Sequence, residues 1–247
     1  MASLPLHQNK DHERLTDTVP AGVPDGITLL EWRDFADARS IAEWDALALE
    51  ASEPNPFFES WNLLSALANL DHGGNARIAI LRSGGKLRGL MPVARSSRYY
   101  GYPLPHWHNW VHHNAFCGTP LVAKGHESEF WSALLETLDS SPKGGLFLHL
   151  SNLPAGGAVH AALTGPLAGK QRPAAVVHSE QRAMLESNES PEAYFEASMS
   201  GKKRKELRRQ HSRLSEEGLL EFRRDLTDDR IDQWCGDFLD LERAGWK

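Results

Sequence analysis

The sequence predicts an α/β (α+β) protein built around a mixed, mostly antiparallel sheet that is flanked by helices. Three observations support this fold class. Strand-like and helix-like hydrophobic patterns alternate through residues 24–186. A strongly basic helical pattern follows within residues 187–218, and residues 219–247 then begin the strand-and-helix pattern again. We therefore expect one sheet domain, a helical connector, and the first strand and helix of a second, incomplete domain.

The composition indicates a globular protein without a membrane span. The 247 residues are 40% hydrophobic and carry a formal net charge of -6, and no apolar run reaches the roughly 18 residues that a membrane helix needs. Residues 1–23 are polar and interrupted by proline, so we expect a disordered N-terminal tail. Cys117 and Cys235 lack metal or redox spacing, which fits a cytoplasmic location. Because the positive charge is concentrated in one stretch, we expect no DNA binding.

The first half of the sheet domain is predicted as a strand, two helices and a hairpin. A run rich in β-forming residues at 27–33 predicts the first strand. Apolar residues recur at helical spacing in 40–51 and 59–70, which predicts two amphipathic helices. Two strand-like runs at 76–82 and 86–94 are joined by a Ser-Gly-Gly turn, which is a hairpin signal.

The second half of this domain completes the predicted sheet. The pattern indicates irregular strands within 99–122, a helix at 127–138, a central strand at 145–150, a helix at 158–167, and closing strands at 174–178 and 182–185. The expected order is therefore β-α-α-β-β-β-α-β-α-β-β.

The aromatic and histidine residues divide into a core set and a groove-lining set. Periodicity directs four tryptophans to the core: Trp32, Trp44, Trp61 and Trp131. The Tyr-Tyr-Gly-Tyr run at 99–102 is a candidate for an exposed aromatic wall. Four histidines lie within eight residues: His106, His108, His112 and His113. They lack the Cys or carboxylate spacing of zinc sites, so we expect no metal and interpret them as lining a groove wall, where they could also contact an acceptor.

Residues 202–213 form a concentrated basic stretch, with seven Lys or Arg residues against one Glu. Leu207 and Leu214 mark an apolar seam seven residues apart, and Gly218 fits the C-terminal cap of a helix. The basic stretch therefore predicts a helix that starts after the Ser200-Gly201 break. A shorter helix is predicted before this break, because Ser190-Pro191-Glu192 has serine as the N-cap and proline at the first position. The charge of the basic stretch favours an anionic ligand, although an ordinary solvated basic face fits the charge pattern as well.

The candidate substrate-binding residues for an anionic acceptor lie on this helix. At 100° per residue, Arg204, Arg208 and His211 fall together on one flank of the Leu207/Leu214 seam, where they can look into a cleft. The back of the helix, which we expect to face water, carries Lys205, Arg209 and Arg213. The candidate set is completed by Lys203, so it comprises Arg204, Arg208, Lys203 and His211.

The last part of the chain repeats its beginning. Residues 219–223 read Leu-Leu-Glu-Phe-Arg, close to Leu-Leu-Glu-Trp-Arg at 29–33, and a helical pattern at 228–243 follows. That helix would bury its apolar face against a sheet of which only the strand 219–224 is present. We therefore expect a truncated second copy of the domain.

Three stretches resemble the tandem acyltransferase family often described as acetyltransferases of cellulose biosynthesis, the CelD/BcsL group. This family is related to the Fem-type peptidyltransferases within the GNAT superfamily. The stretches are 55–61 (Asn-Pro-Phe-Phe-Glu-Ser-Trp), the basic stretch 201–209 with Leu214 and Gly218, and 238–241 followed by Gly245-Trp246-Lys247. The resemblance extends over about residues 27–247.

The resemblance implies two GNAT-like domains with an acceptor groove between them. The first would be degenerate, and the second would bind the acyl donor, acetyl-CoA or another acyl-CoA. In Fem-type relatives a basic residue on a helix of this kind contacts phosphates of the acceptor. Its match here is Arg204, which the helical geometry also places on the seam flank.

The chain departs from the family at the turn that would hold the donor. A GNAT donor site holds the pyrophosphate of coenzyme A with backbone N–H groups of an Arg/Gln-x-x-Gly-x-Gly/Ala turn between a strand and a helix. The corresponding turn at 122–126, Val-Ala-Lys-Gly-His, has a single glycine. We therefore expect no cofactor-binding residues in this chain and a donor site beyond Lys247.

These features together predict an acyl-CoA-dependent N- or O-acyltransferase that acts on a small-molecule or envelope-polysaccharide precursor. Its partners would be the acyl-CoA donor and a small-molecule or saccharide acceptor, and no residue is assigned as the catalytic base. Two alternatives stay open. One is a Fem-like transferase that uses aminoacyl-tRNA, and the other is a non-catalytic anion-binding or acceptor-binding module of a polysaccharide-synthesis complex.

Overall fold

The computed structural model describes residues 25–141, 144–169, 171–183 and 187–245. The predicted tail at 1–23 and the Trp246-Lys247 end of the third motif lie outside these residues. The chain divides into two compact units, Met1–Val176 and Val177–Lys247, which are described separately as unit 1 and unit 2. None of the described helices is both long and apolar enough to cross a membrane.

Unit 1 is built on a six-stranded mixed sheet. Its strands are β1 (Gly26–Glu31), β2 (Arg77–Ser83), β3 (Lys86–Ser96), β4 (His106–Asn109), β5 (Leu121–Val122) and β6 (Leu148–His149). Strands β1 to β4 pair antiparallel in sequence order, and β5 pairs antiparallel with β3. Strand β6 pairs with β4 in parallel. The predicted fold class, a mixed and mostly antiparallel sheet flanked by helices, is confirmed.

Four helices flank this sheet, and each lies where the helical periodicity predicts it. They are α1 (Ala38–Glu50), α2 (Ser60–Leu70), α3 (Glu127–Asp139) and α4 (Ala158–Gly169). Helix α1 contacts β3 and β5, whereas α3 contacts β1, β2 and β3. The carboxylate of Asp37 caps α1 by accepting hydrogen bonds from the backbone N–H groups of Arg39 and Ser40, at 3.0 and 3.1 Å.

The core of unit 1 is anchored by tryptophans whose indole N–H groups are satisfied. Trp44 and Trp131 are fully buried and donate to the carbonyl oxygens of Phe58 and Val159, both at 2.8 Å. Burying side chains of this size stabilises the fold by roughly 1.5–3 kcal/mol each. Trp32 also belongs to the core, as predicted.

The core assignment of Trp61 is wrong, because this side chain is 66% exposed. The buried face of α2 consists of Ser60, Leu63, Ala66 and Leu67. Helical spacing predicts an inward face of Trp61, Leu64, Leu67 and Ala68, so the observed face is rotated by about one residue. A hydrogen bond from the Ser60 hydroxyl to the Asp45 carboxylate fixes the rotation of α2 against α1. The Trp61 indole therefore faces outward and donates to the Glu59 carboxylate at 2.8 Å.

The strands at the end of unit 1 differ from the prediction. The expected central strand at 145–150 forms only as β6, which lies at an edge of the sheet. Its ladder stops after His149 because Ser151 donates its backbone N–H to the Asn109 side chain instead, at 2.8 Å. The expected strand at 174–178 does not form, nor does strand structure at 182–183, and residues 184–185 lie outside the described residues.

Unit 2 consists of three helices without a buried residue among those described. They are α5 (Pro191–Ser198), α6 (Gly201–Glu216) and α7 (Ile231–Ala244), and all three were predicted. The predicted strand at 219–224 is not formed. A strand is defined by hydrogen bonds to a neighbouring strand, and no such neighbour occurs in the described part of this unit. The second sheet domain therefore stays a prediction.

Candidate functional site

The predicted basic helix forms as α6, and local capping explains where it begins. The hydroxyl of Ser200 accepts a hydrogen bond from the backbone N–H of Lys203 at 3.3 Å. The helix carries seven basic and two acidic side chains, so its net charge is +5. This concentration of charge favours an anionic ligand.

Arg204 is directed at the end of the preceding helix. One guanidinium nitrogen, Nη1, donates to the carbonyl oxygens of Glu196 and Met199, both at 2.6 Å. A cation at this position satisfies free carbonyl groups at the C-terminus of α5 and interacts favourably with the helix dipole. Arg204 therefore fixes the corner between α5 and α6, while its Nε and Nη2 form no hydrogen bond with the described residues.

The other three predicted residues, Lys203, Arg208 and His211, are exposed. Lys203 and Arg208 form no ion pair within the described part of the chain. The imidazole of His211 stacks on Phe222, with ring centroids 5.8 Å apart and planes 6° apart. Lys203 and Arg208 are thus available to an anion, whereas one face of His211 is covered.

An open concavity on α6 includes Lys203 of the predicted set together with Lys205 and Arg209, which were expected to face water. It is lined by Ser200, Lys202, Lys203, Lys205, Glu206 and Arg209. Sequence reasoning placed Lys205 and Arg209 on the back of the helix because it took the Leu207/Leu214 seam as the buried side. Leu214 is 56% exposed, so the seam does not define a buried side.

Part of the charge in this concavity is neutralised within the helix. The Arg209 guanidinium donates to the Glu206 carboxylate at 2.7 and 3.0 Å. This hydrogen bond lowers the pKa of Glu206 and raises that of Arg209. The free cations on this face are therefore Lys202, Lys203 and Lys205, as far as the described residues show.

The turn at 122–126 is occupied by the chain's own groups. Gly125, with φ of 90°, donates its N–H to the carboxylate of Glu127 at 2.9 Å, and the N–H of His126 bonds to the Ala123 carbonyl at 3.0 Å. Glu129 accepts a further bond from the His126 ring at 2.7 Å. Two carboxylates thus stabilise the N-terminus of α3 and repel a second anion.

Hydrogen bonds join the chain segments that follow β4 and β6. The Asn109 side-chain amide donates to the carbonyl oxygens of Gly118 and Ser151, at 3.2 and 2.9 Å. The N–H of Gly118 donates to the carbonyl of Asn152 at 2.8 Å. A Cβ atom at Gly118 would overlap the Ser151 carbonyl oxygen, so the two segments are in direct contact.

A second group of polar side chains lies on one face of β4 and β6. Residues alternate across a strand, so His106 and His108 share a face that Trp107 does not. His149 lies opposite His108 in the parallel ladder. The Tyr99 hydroxyl is 3.4 Å from Nδ1 of His149, and the Tyr99 ring stands edge-on to that of His106 at 5.1 Å.

Two imidazoles in this group are less basic than an ordinary histidine. Burial lowers the pKa of both His108 and His149, and the neighbouring His106 lowers each further. Nδ1 of His108 lies 3.0 Å from the Asn109 carbonyl oxygen, and Nδ1 of His106 lies 3.1 Å from that of Leu104. Each Nδ1 therefore carries the proton and donates it, which leaves Nε2 as an acceptor.

His112 and His113, the other two predicted groove histidines, lie outside this group. His112 accepts a hydrogen bond from the backbone N–H of Asn114 at 3.3 Å and its ring lies 5.9 Å from that of Trp110. His113 is exposed. Within the described residues, no three His, Cys, Asp or Glu side chains are grouped so that they could hold a metal ion.

Comparison with family models and with curated proteins gives no match. Among solved structures the chain is similar to a GNAT family acetyltransferase of Staphylococcus aureus, with 12% identity, a TM-score of 0.39, and coverage of 64% of this chain and 97% of that one. It is also similar to a ribosomal-protein-alanine N-acetyltransferase of Brucella melitensis biovar Abortus, with 17% identity, a TM-score of 0.38, and coverage of 64% and 98%. An aminoglycoside 6'-N-acetyltransferase of Acinetobacter haemolyticus gives 13% identity, a TM-score of 0.37, and coverage of 64% and 99%. At TM-scores this low, these likenesses carry no argument about activity.

Proposed function

We propose that the protein is an acyl-CoA-dependent N- or O-acyltransferase of the GNAT type, acting on a small-molecule or envelope-polysaccharide precursor. The observation that carries the proposal is the sheet of unit 1. Its antiparallel path β1-β2-β3-β4 is extended by β6, the one parallel neighbour in the described sheet, in a β-α-α-β-β-β-β-α-β-α order. This is the mixed, helix-flanked sheet that the family resemblance implies.

In this proposal the donor is not held by unit 1. Two observations support this: the carboxylate of Glu127 accepts the Gly125 N–H in the turn where a pyrophosphate would bind, and Glu129 adds negative charge beside the His126 ring. Acyl transfer itself forms a bond from the acceptor nitrogen or oxygen to the thioester carbonyl carbon. The carbon–sulfur bond then breaks, the acceptor proton passes to a base, and the coenzyme leaves as a free thiol.

In this proposal the basic side chains of helix α6 bind the anionic acceptor. Lys203 and Arg208 are exposed and free of ion pairs among the described residues, so either can bind a phosphate or carboxylate by a charge-assisted hydrogen bond. Arg204 positions the helix and keeps two donor nitrogens for the same ligand, and His211 lies further along it. The lysines at 202 and 205 extend the basic surface.

The experiment is an acyl-transfer assay on the protein purified from its native source. Acetyl-CoA is offered with a panel of phosphorylated or acidic amino sugars, and the released thiol is followed with a chromogenic disulfide. Arg208→Ala should raise the KM for a charged acceptor about tenfold, the loss of one charge-assisted hydrogen bond. Arg213→Ala is the matched control. An equal effect of both substitutions, or no thiol release with any acceptor, contradicts the proposal.

The occupied turn favours one second candidate, a non-catalytic module that binds an anionic acceptor. Such a module would use the same cations of α6 but would need no donor site. The two candidates differ in one result of the same assay. A module binds the acceptor and loses affinity with Arg208→Ala, yet it releases no thiol from acetyl-CoA.

A further inference from the structure

The turn between β3 and β4 holds a tyrosine in a conformation that tyrosine rarely adopts. Tyr99 and Tyr102 exchange two backbone hydrogen bonds of 3.0 Å, and the two residues between them, Tyr100 and Gly101, have φ of 47° and 85°. Positive φ at both central positions defines a type I′ turn, whose preferred sequence is Asn-Gly. A tyrosine at the first position costs about 1 kcal/mol relative to asparagine or glycine.

This strained turn presents aromatic rings to water. Tyr100 is 85% exposed and Tyr102 is 70% exposed, so neither ring is explained by packing in the core. The Tyr100 ring stands edge-on to that of Tyr99, with centroids 4.7 Å apart and an angle of 83°. The turn therefore keeps a bulky apolar ring at the surface at a cost in folding free energy, which is a pattern typical of binding sites.

Tyr99 connects this turn to the imidazoles of β4 and β6. Its ring contacts His106, and its hydroxyl lies 3.4 Å from Nδ1 of His149. Nε2 of His108 forms no hydrogen bond with the described residues and is left as an acceptor. The surface thus combines exposed aromatic rings with hydroxyl and imidazole hydrogen-bonding groups, and one exposed arginine, Arg98, directly precedes the turn.

We propose that the tyrosine turn and His108 form a binding surface for a neutral saccharide. The face of a tyrosine ring packs against the C–H face of a pyranose, and neutral imidazole nitrogens and the tyrosine hydroxyls bond to sugar hydroxyls. A single-stranded nucleic acid would also stack on tyrosines, but it needs a cationic groove for its phosphates. Arg98 can pair with one phosphate, but the lowered pKa of His108 and of His149 disfavours further positive charge from these side chains, which favours the saccharide.

This inference adds to the proposed function a contact with the saccharide in unit 1. It rests on the proposed function, because that function supplies the reason for choosing a saccharide as the ligand. Its test requires no acyl donor. Loss of acyl transfer with saccharide binding intact therefore contradicts the proposed function alone, and absence of saccharide binding with thiol release intact contradicts this inference alone.

The test measures saturation-transfer difference NMR with cellopentaose and maltopentaose as neutral probes. The main variant is Tyr100→Asn, which removes the ring but keeps a residue that favours the turn. We expect the wild type to transfer saturation to ring C–H protons of at least one probe, and Tyr100→Asn to bind at least about tenfold more weakly while melting at a higher temperature. His108→Phe, which keeps a ring but removes the acceptor nitrogen, should weaken binding severalfold.

Tyr194→Ala is the matched control, because Tyr194 is a partly exposed tyrosine of α5 in unit 2 and is not part of the turn. It should bind the probe as the wild type does. Three results would overturn the inference: no saturation transfer to either probe, equal weakening by Tyr194→Ala, or unchanged binding in Tyr100→Asn. Displacement of the sugar by a single-stranded oligonucleotide that binds more tightly at the same tyrosines would also overturn it.

Discussion

At the scale of single residues, the side chain most clearly marked by the sequence, Arg204, forms hydrogen bonds with a neighbouring part of the chain. Arg204 was selected for its charge and its helical position, yet its Nη1 is bound to two carbonyl oxygens of the preceding helix. A helical wheel fixes the direction of a side chain relative to its own helix axis. It contains no information about free carbonyl groups on another helix, so this use of Arg204 could not be predicted from spacing.

Arg204→Ala should loosen the end of α5 by roughly 1 kcal/mol, because two charge-assisted hydrogen bonds to helix-end carbonyls are lost. Amide hydrogen exchange is the measurement, and protection of the α5 amides should fall about fivefold. Arg209→Ala removes an arginine that bonds only to Glu206 within α6. If the two variants lose equal protection in α5, the corner assignment is wrong.

His108 should make the stability of unit 1 depend on pH. Burial lowers its pKa below the ordinary 6.5, a hydrogen bond to Asn109 offsets part of this, and His106 lowers it further. Below pH 6.5 the unfolded chain binds a proton that the folded chain does not, so stability is fully present above 6.5 and falls as pH drops through the lowered pKa. The neighbouring His149 acts in the same direction.

The measurement is the urea midpoint of unfolding at pH 7.5 and at pH 5.5. The wild type should be less stable at the lower pH, and His108→Gln should reduce that difference because glutamine does not titrate. A difference of the same size in His108→Gln would assign the pH dependence to other groups.

At the scale of elements, helices were predictable from the sequence and short strands were not. The helices α1 to α7 follow local apolar spacing and caps such as Ser190, whose hydroxyl accepts from the N–H of Ala193 at 3.2 Å. Strands at 174–178 and 219–224 had suitable composition, but strand formation requires a partner that composition does not supply. The turn before α3 could be predicted only in part. Its single glycine can be read from the sequence, whereas the hydrogen bond that Glu127 accepts from Gly125 cannot.

Glu127→Ala should destabilise unit 1 by about 0.5–1 kcal/mol, because the N-terminus of α3 loses a carboxylate and Gly125 loses its acceptor. Glu127→Gln keeps an acceptor and should lose less. Both variants are compared by urea unfolding at pH 7. Equal losses would show that charge, rather than the hydrogen bond, stabilises the turn, and no loss in either would contradict the capping role.

At the scale of the whole molecule, the two units differ in how they are stabilised. Unit 1 has a contiguous core that includes Trp44, Phe58, Phe130 and Trp131, whereas no described residue of unit 2 is buried. Apolar side chains of α7 such as Ile231 and Phe238 are 55% and 60% exposed. Substitutions in the core of unit 1 should therefore dominate the measured stability.

Trp44→Phe should cost about 1–3 kcal/mol, because it removes buried volume and leaves the Phe58 carbonyl without its donor. Trp61→Phe is the matched control, since the Trp61 ring is largely exposed, and it should change stability by less than about 0.5 kcal/mol. Chemical unfolding followed by circular dichroism checks both. A larger cost for Trp61→Phe would restore the core position that periodicity assigned to it.

The turn at Tyr100 also affects which substitutions this position can accept during evolution. One base change converts a tyrosine codon into an asparagine codon, and asparagine suits the backbone of this turn better. A lineage selected only for foldability would accept that change readily. We therefore expect relatives that keep the function to retain an aromatic residue at this position, and relatives that have lost it to carry asparagine or glycine there.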